Sequence, residues 1–147
     1  MSDELENIVK ELGGEMIHVG TSVKTVSQTA AALGVKPKQI IKSLLVITEG
    51  EGPILAILDG ESKLDLRKLS ERFGYSRLAT PKEVKRITGY DVGGVPPIGI
   101  DIRTIMDDRV LENSEVYGGG GSTDRLVKLS PKKIAEYQKA EITRIRE

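Results

Sequence analysis

The sequence predicts a mixed α/β domain in which short helices pack on a sheet. Three observations lead there. Segments with helical spacing of apolar residues are interspersed with short runs of aliphatic and β-branched residues. Glycine or proline marks most of the boundaries between them. The length, 147 residues, suits one domain with a self-sufficient core.

Leu5, Ile8, Val9 and Leu12 predict a helix over residues 3–12, closed by Gly13-Gly14. A short strand is expected at 16–19. Thr25 is placed to cap a helix running through Ala30-Ala31-Ala32-Leu33, and Gly34 ends it. Pro37 opens a brief helical turn into a strand over 41–48. Residues 49–52 form a tight connection to a partner strand at 53–58. Residues 65–73 read as a helix with Leu66 and Leu69 inward, stopped by Gly74. Thr80-Pro81-Lys82-Glu83 combines a cap, a proline at the first helical position and a glutamate at the third, so a helix runs to Thr88 and stops at Gly89. A Gly/Pro loop at 93–99 leads to a strand near 100–106 and a short helix near 108–112. A strand at 115–117, a turn at 118–121 and a strand at 125–129 follow. Ser130-Pro131 repeats the cap-plus-proline device for a helix over 132–139.

Composition removes several classes of chemistry. There is no cysteine, which excludes disulfides, thiol catalysis, zinc ribbons and Fe–S clusters. The single histidine, His18, excludes any mechanism needing two imidazoles. A metal site built of carboxylates alone stays open in principle, but no EF-hand or H-E-x-x-H pattern occurs, and neither a metal nor a cofactor is expected. The longest aliphatic run, Leu44 to Ile47, is far short of the roughly 20 residues that span a bilayer. The acidic Met1-Ser2-Asp3-Glu4 start has no apolar h-region, so a cytoplasmic protein without a membrane partner is expected.

Charge balances overall, 22 basic against 22 acidic residues, but is segregated along the chain. Residues 19–48 carry +4 with no acidic residue, and 63–86 carry +5, whereas 87–124 carry −5. The neutral sum argues against nonspecific coating of nucleic acid. The blocks still permit one basic face that holds a short piece of phosphate backbone.

Gly93-Gly94-Val95-Pro96-Pro97-Ile98-Gly99 is the most unusual stretch. A loop this rich in glycine and proline is stiff yet brings backbone N–H groups close to a ligand, as an oxyanion hole requires. A plain turn between helix and strand is the other reading. Lys42 interrupts a largely apolar strand; it either snorkels to solvent or places a cation at a pocket mouth. Gly118-Gly119-Gly120-Gly121-Ser122-Thr123 is not a phosphate loop, since no Lys-Ser/Thr follows and the next element is a strand. It reads as a flexible hairpin turn, with Gly120 and Ser122 as its pocket-lining candidates. His18 has no G-x-S-x-G serine to serve, and Tyr75, Tyr90, Tyr117 and Tyr137 form no stacking pattern.

The order of the motifs carries further information. The Thr25-led helix ending Ala-Leu-Gly-Val is followed by Ile-Ile-Lys42-Ser-Leu-Leu-Val and Leu55-Ala-Ile-Leu-Asp-Gly60. Asp65-Leu-Arg-Lys-Leu69, Leu78-Ala-Thr-Pro-Lys-Glu-Val84, the run from Thr88 to Gly99, and Leu129-Ser-Pro131 continue the series. In this order they resemble the YbaK/prolyl-tRNA-synthetase-associated domain family of trans-editing aminoacyl-tRNA deacylases, over roughly residues 16–140. Residues 1–14 would then be an added N-terminal helix and 140–147 a tail on one domain.

The resemblance implies a strongly curved mixed sheet ringed by short helices, with one aminoacyl pocket. The family's lysine falls on Lys42 and its G-x-x-x-P loop on Gly93–Pro97, so Lys42 and Gly93 are the implied catalytic residues. Gly94, Val95, Pro97 and Gly99 would bind substrate, and Ser22 and Thr25 would lie on the opposite wall. Attack would come from water assisted by the terminal ribose hydroxyl, needing orientation and oxyanion stabilisation more than a strong base. Two departures stand out: Ile98 where many members have an aromatic residue, and His18-Val19 where many have His-Pro. The implied substrate is tRNA-Pro carrying a small residue such as alanine or cysteine, with prolyl-tRNA synthetase as a possible partner. A noncatalytic tRNA- or synthetase-binding module and a hydrolase of another small ester are the rivals.

Overall fold

The computed structural model describes residues 3–23 and 25–147. Its helices are α1 (Glu4–Glu11), α2 (Val26–Leu33), α3 (Leu66–Phe73), α4 (Pro81–Thr88) and α5 (Pro131–Gln138). Its strands are β1 (Glu15–His18), β2 (Ile41–Thr48), β3 (Gly52–Asp59), β4 (Ser76–Leu78), β5 (Arg103–Met106), β6 (Val116–Ser122), β7 (Arg125–Leu129) and β8 (Glu141–Ile142). Single 3-10 turns lie at Pro37–Gln39 and Asp108–Glu112. Met1 and Ser2, the first residues of the expected N-terminal segment, lie outside the described residues.

The larger sheet has the order β4-β2-β3-β5-β8 and is mixed. β2 runs antiparallel to β3 and β4, whereas β3–β5 and β5–β8 are parallel. The smaller sheet, β1-β7-β6, is antiparallel throughout. An isolated parallel bridge between Ile40 and Tyr117 links the entrance of β2 to β6.

Strand alternation divides the core in two. Ile41, Leu45, Leu55 and Ile57 face a cluster shared with Val95, Ile98, Val127 and α1 residues Leu5 and Val9. Val46, Ile54, Ala56 and Leu58 face the other, with Leu69 and Phe73 of α3 and Ile145. Ile54 to Leu58 are all fully buried, as an aliphatic run covered on both faces must be.

Local capping chemistry sets the helix boundaries. Thr25 and Thr80 close reciprocal capping boxes with Gln28 and Glu83, each worth about 1 kcal/mol. Gly34 and Gly89 end those helices in the left-handed conformation. Ser130 differs from expectation: it makes no side-chain cap bond, and Pro131 alone marks the start of α5.

Three segments depart from the sequence reading. Gly118 to Gly121 are not a turn; they belong to β6, and the reversal falls at Thr123-Asp124. β4 and β8, of three and two residues, are too short for periodicity to reveal. The tail at 140–147 is held against the core. Buried Asp107 accepts hydrogen bonds from the backbone N–H groups of Ile145 (2.8 Å) and Arg146 (3.0 Å) and from the Arg146 guanidinium (2.7 Å), fastening the segment to the core.

Candidate functional site

β4 pairs only with Val46, Ile47 and Thr48 of β2, so the preceding residues of β2 have no strand partner on that side among the described residues. A cavity of about 440 Å³ opens along this edge, within the usual range for ligand clefts. Ile41 to Leu45 form its floor, and Val23, Thr25, Val26 and Thr29 one wall. Val92, Gly93 and Val95 of the Gly/Pro loop and Tyr117, Gly118 and Gly119 of β6 also line the cavity. Lys42 and the loop therefore share one cavity.

Lys42 is half-buried, and its ammonium donates to the carbonyl of Ser62 rather than reaching into bulk solvent. Burial lowers its pKa below the ordinary lysine value; the nearby Asp59 carboxylate opposes that effect and the Lys63 charge adds to it. One donor is committed to Ser62, which leaves two ammonium N–H groups for a ligand.

The loop is fixed through Gly94, whose N–H donates to the Asp91 carbonyl and whose own carbonyl accepts from Gly121 N–H, both at 2.9 Å. The N–H groups of Gly93 and Val95 make no hydrogen bond among the described residues, although both residues line the cavity. Gly93 holds φ at +92°, a conformation that side chains other than glycine's resist. The loop therefore carries two backbone donors without a partner among the described residues, on a frame fixed through Gly94.

The glycine run makes this docking possible. A β-carbon on Gly118 would lie 3.1 Å from Ile41, and one on Gly94 would lie 3.1 Å from the Gly121 backbone. Behind the run, Arg125 donates through Nε to the Gly120 carbonyl at 2.6 Å and pairs with Asp3, the N-cap of α1. The N-terminal helix is thereby tied to the back of the site.

Other residues singled out in the sequence are placed variously. Thr25 lines the cavity while its hydroxyl accepts the Gln28 N–H at 3.1 Å. Pro97 is buried behind the wall, beside Gly118, and Ile98 is fully buried in the core, outside the cavity lining. Gly120 packs against the Arg125 backbone. Ser22 bonds Thr123 and Ser122 bonds Asp124, each at 2.7 Å, and neither lines the cavity. Gly99 opens onto a separate hollow of about 330 Å³ beside Gln138. His18 is exposed at the end of β1, outside the cavity lining.

One cavity residue was not foreseen. Ser43 Oγ is buried without a hydrogen-bond partner, alone in this among the described side chains. Ser43 shares its face of β2 with Ile41 and Leu45, opposite to Lys42. A serine amid Ile40-Ile41-Lys42 and Leu44-Leu45-Val46, at the inward phase of the alternation, was the signal available for it.

The aminoacyl-tRNA editing domain family profile matches residues 21–137. A prolyl-tRNA ligase of Thermodesulfovibrio yellowstonii is 33% identical over 125 residues, covering 84% of this chain but 22% of the ligase. A protein of Enterococcus faecalis that bears the provisional name Cys-tRNA(Pro)/Cys-tRNA(Cys) deacylase EbsC is 30% identical over 121 residues, covering 78% of this chain and 74% of that one. A crystal structure described provisionally as a trans-editing enzyme for prolyl-tRNA synthetase superposes with a TM-score of 0.86 at 29% identity, covering 100% of this chain and 99% of that one.

Proposed function

The chain belongs to the aminoacyl-tRNA editing domain family, and from that premise we propose that it hydrolyses, in trans, the ester of a misacylated tRNA, with tRNA-Pro carrying alanine or cysteine as the substrate. The observation that carries the reading is that Lys42 and the Gly93 and Val95 segment of the Gly/Pro loop line one cavity, with the Gly93 and Val95 amides unbonded among the described residues. The ester carbonyl oxygen accepts from those two amides. Water adds to the carbonyl carbon, and the negative charge that develops on oxygen meets donors that need no reorganisation. The tetrahedral intermediate collapses with loss of the ribose oxygen, which takes up a proton, releasing the amino acid and intact tRNA. The terminal ribose hydroxyl assists the water, so no side-chain nucleophile is required.

Lys42 supplies positive charge near the tRNA end. Ile41, Leu45 and Val95 give the cavity an aliphatic lining that favours small apolar side chains, and rejection by size is the discrimination such a pocket performs best. Partnership with prolyl-tRNA synthetase is supported by a homologous segment within the ligase. Aminoacylated tRNA is made and consumed in the cytoplasm, which is where this activity would operate; no helix among the described residues is long and apolar enough to cross a membrane.

Incubation with a panel of mischarged tRNAs, following loss of the labelled amino acid, tests the reading. Lys42→Ala is expected to lower kcat/KM at least tenfold, about 1.4 kcal/mol of transition-state stabilisation. Absence of turnover on every small aminoacyl-tRNA would favour a binding module, and turnover of simple esters without tRNA would favour a general esterase.

A further inference from the structure

We propose that Asp59 is the positioning residue for Lys42: its buried carboxylate folds the turn that offers the Ser62 carbonyl to the ammonium, and its negative charge acts on the same cation. Asp59 ends β3 with 0% exposure. It accepts a hydrogen bond from the Glu61 N–H at 3.1 Å and another from the Ser62 hydroxyl, while its own carbonyl accepts the Ser62 N–H at 3.2 Å. The turn is wedged in place, since a β-carbon on Gly60 would lie 2.3 Å from the Pro37 carbonyl and 2.6 Å from Val26. Its product is the carbonyl of buried Ser62, on which Lys42 Nζ rests.

A serine or asparagine would close the same turn without the desolvation that a buried carboxylate carries. The charge therefore has a further use, and the cation it serves is Lys42, whose burial disfavours the charged form while the Asp59 carboxylate supports it. Other charges around the pair are few. Lys63 follows the turn and opposes protonation. Arg109 lies 3.9 Å from the Asp59 carboxylate and is itself paired with Glu61 at 2.7 Å. α2, which packs Val26 against the turn, carries no charged residue.

The catalytic consequence rests on the deacylase reading, whereas the electrostatic one does not. The test is therefore the direct titration of Lys42 by NMR of the full chain labelled with [13C]lysine, using Lys42→Arg to assign the signal. In Asp59→Asn, which retains the turn's acceptor, the Lys42 ammonium is expected to bind its proton about tenfold more weakly than in the wild type. Ser62→Ala, which keeps the carbonyl and the carboxylate, should leave the midpoint nearly unchanged. If Asp59→Asn does not fold, Arg109→Gln removes the counter-charge at a partly exposed site and should move the midpoint upward. An unmoved Lys42 midpoint in the folded variant overturns the proposal. With turnover in hand, the alkaline limb of kcat/KM should move to lower pH in Asp59→Asn. A moved midpoint without turnover on any tRNA would retire the deacylase reading and leave Asp59 its assignment.

Discussion

A β-carbon placed on Gly119 would sit 2.3 Å from the carbonyl oxygen of Val95, so β6 and the Gly/Pro loop touch backbone to backbone. That contact places the Gly94–Val95 backbone directly against β6. Gly119→Ala forces the loop away from the strand, at a cost of about 1–3 kcal/mol for overpacking. Activity should fall more than tenfold while the protein still folds, because a small displacement of oriented donors is felt strongly in the transition state. Urea unfolding beside deacylation kinetics checks this; a variant with wild-type kcat/KM would show that the contact does not position the donors.

Ser43→Ala should separate stability from activity. Removing a buried hydroxyl without a partner is expected to leave stability unchanged or raise it by roughly 1 kcal/mol. If the hydroxyl meets the bound substrate, kcat/KM falls about tenfold. Thermal melting and single-turnover deacylation on the same preparation test both halves, and a more stable variant with full activity would remove Ser43 from the site.

Acid should loosen the C-terminal segment first. Burial pushes the Asp107 pKa up, but the N–H groups of Ile145 and Arg109 and the Arg146 guanidinium outweigh it and hold the carboxyl below the usual carboxylate range. The folded protein thus binds that proton more weakly than the unfolded chain. The stabilisation is complete above about pH 4 and is lost as pH falls through the lower, folded value. Asp107→Ala should cost about 3 kcal/mol at pH 7, and its stability should fall less steeply below pH 4. Chemical denaturation as a function of pH measures both.

Binding of tRNA should weaken as salt rises, since each phosphate contact releases counterions. The basic segments 19–48 and 63–86 flank the cavity through α2, β2, Leu78 and Ala79, so the 3′ end would enter between them. Affinity unchanged between 50 and 200 mM salt, about a fourfold span, would place recognition elsewhere.

The sequence by itself determined the elements whose boundaries are chemical. Thr25, Thr80, Gly34 and Gly89 announce helix ends because caps act within a few residues of the chain. The aliphatic runs of β2 and β3 announce a hairpin for the same reason. Lys42 and the Gly93–Pro97 loop were visible as exceptions to local pattern, a charge in an apolar strand and a loop dense in glycine and proline. Tertiary structure alone decided what surrounds them. The run from Gly118 to Gly121 looks like a turn because glycine favours turns, yet it is a strand whose missing side chains admit the loop, and local preference yields there to a close approach between distant segments. Ser43, Asp59 and Ser62 likewise acquire their roles only from partners, or a lack of them, fixed by strand pairing and turn geometry. Local propensity is written in neighbours along the chain, whereas a hydrogen bond between Lys42 and Ser62 exists only once the sheet has closed.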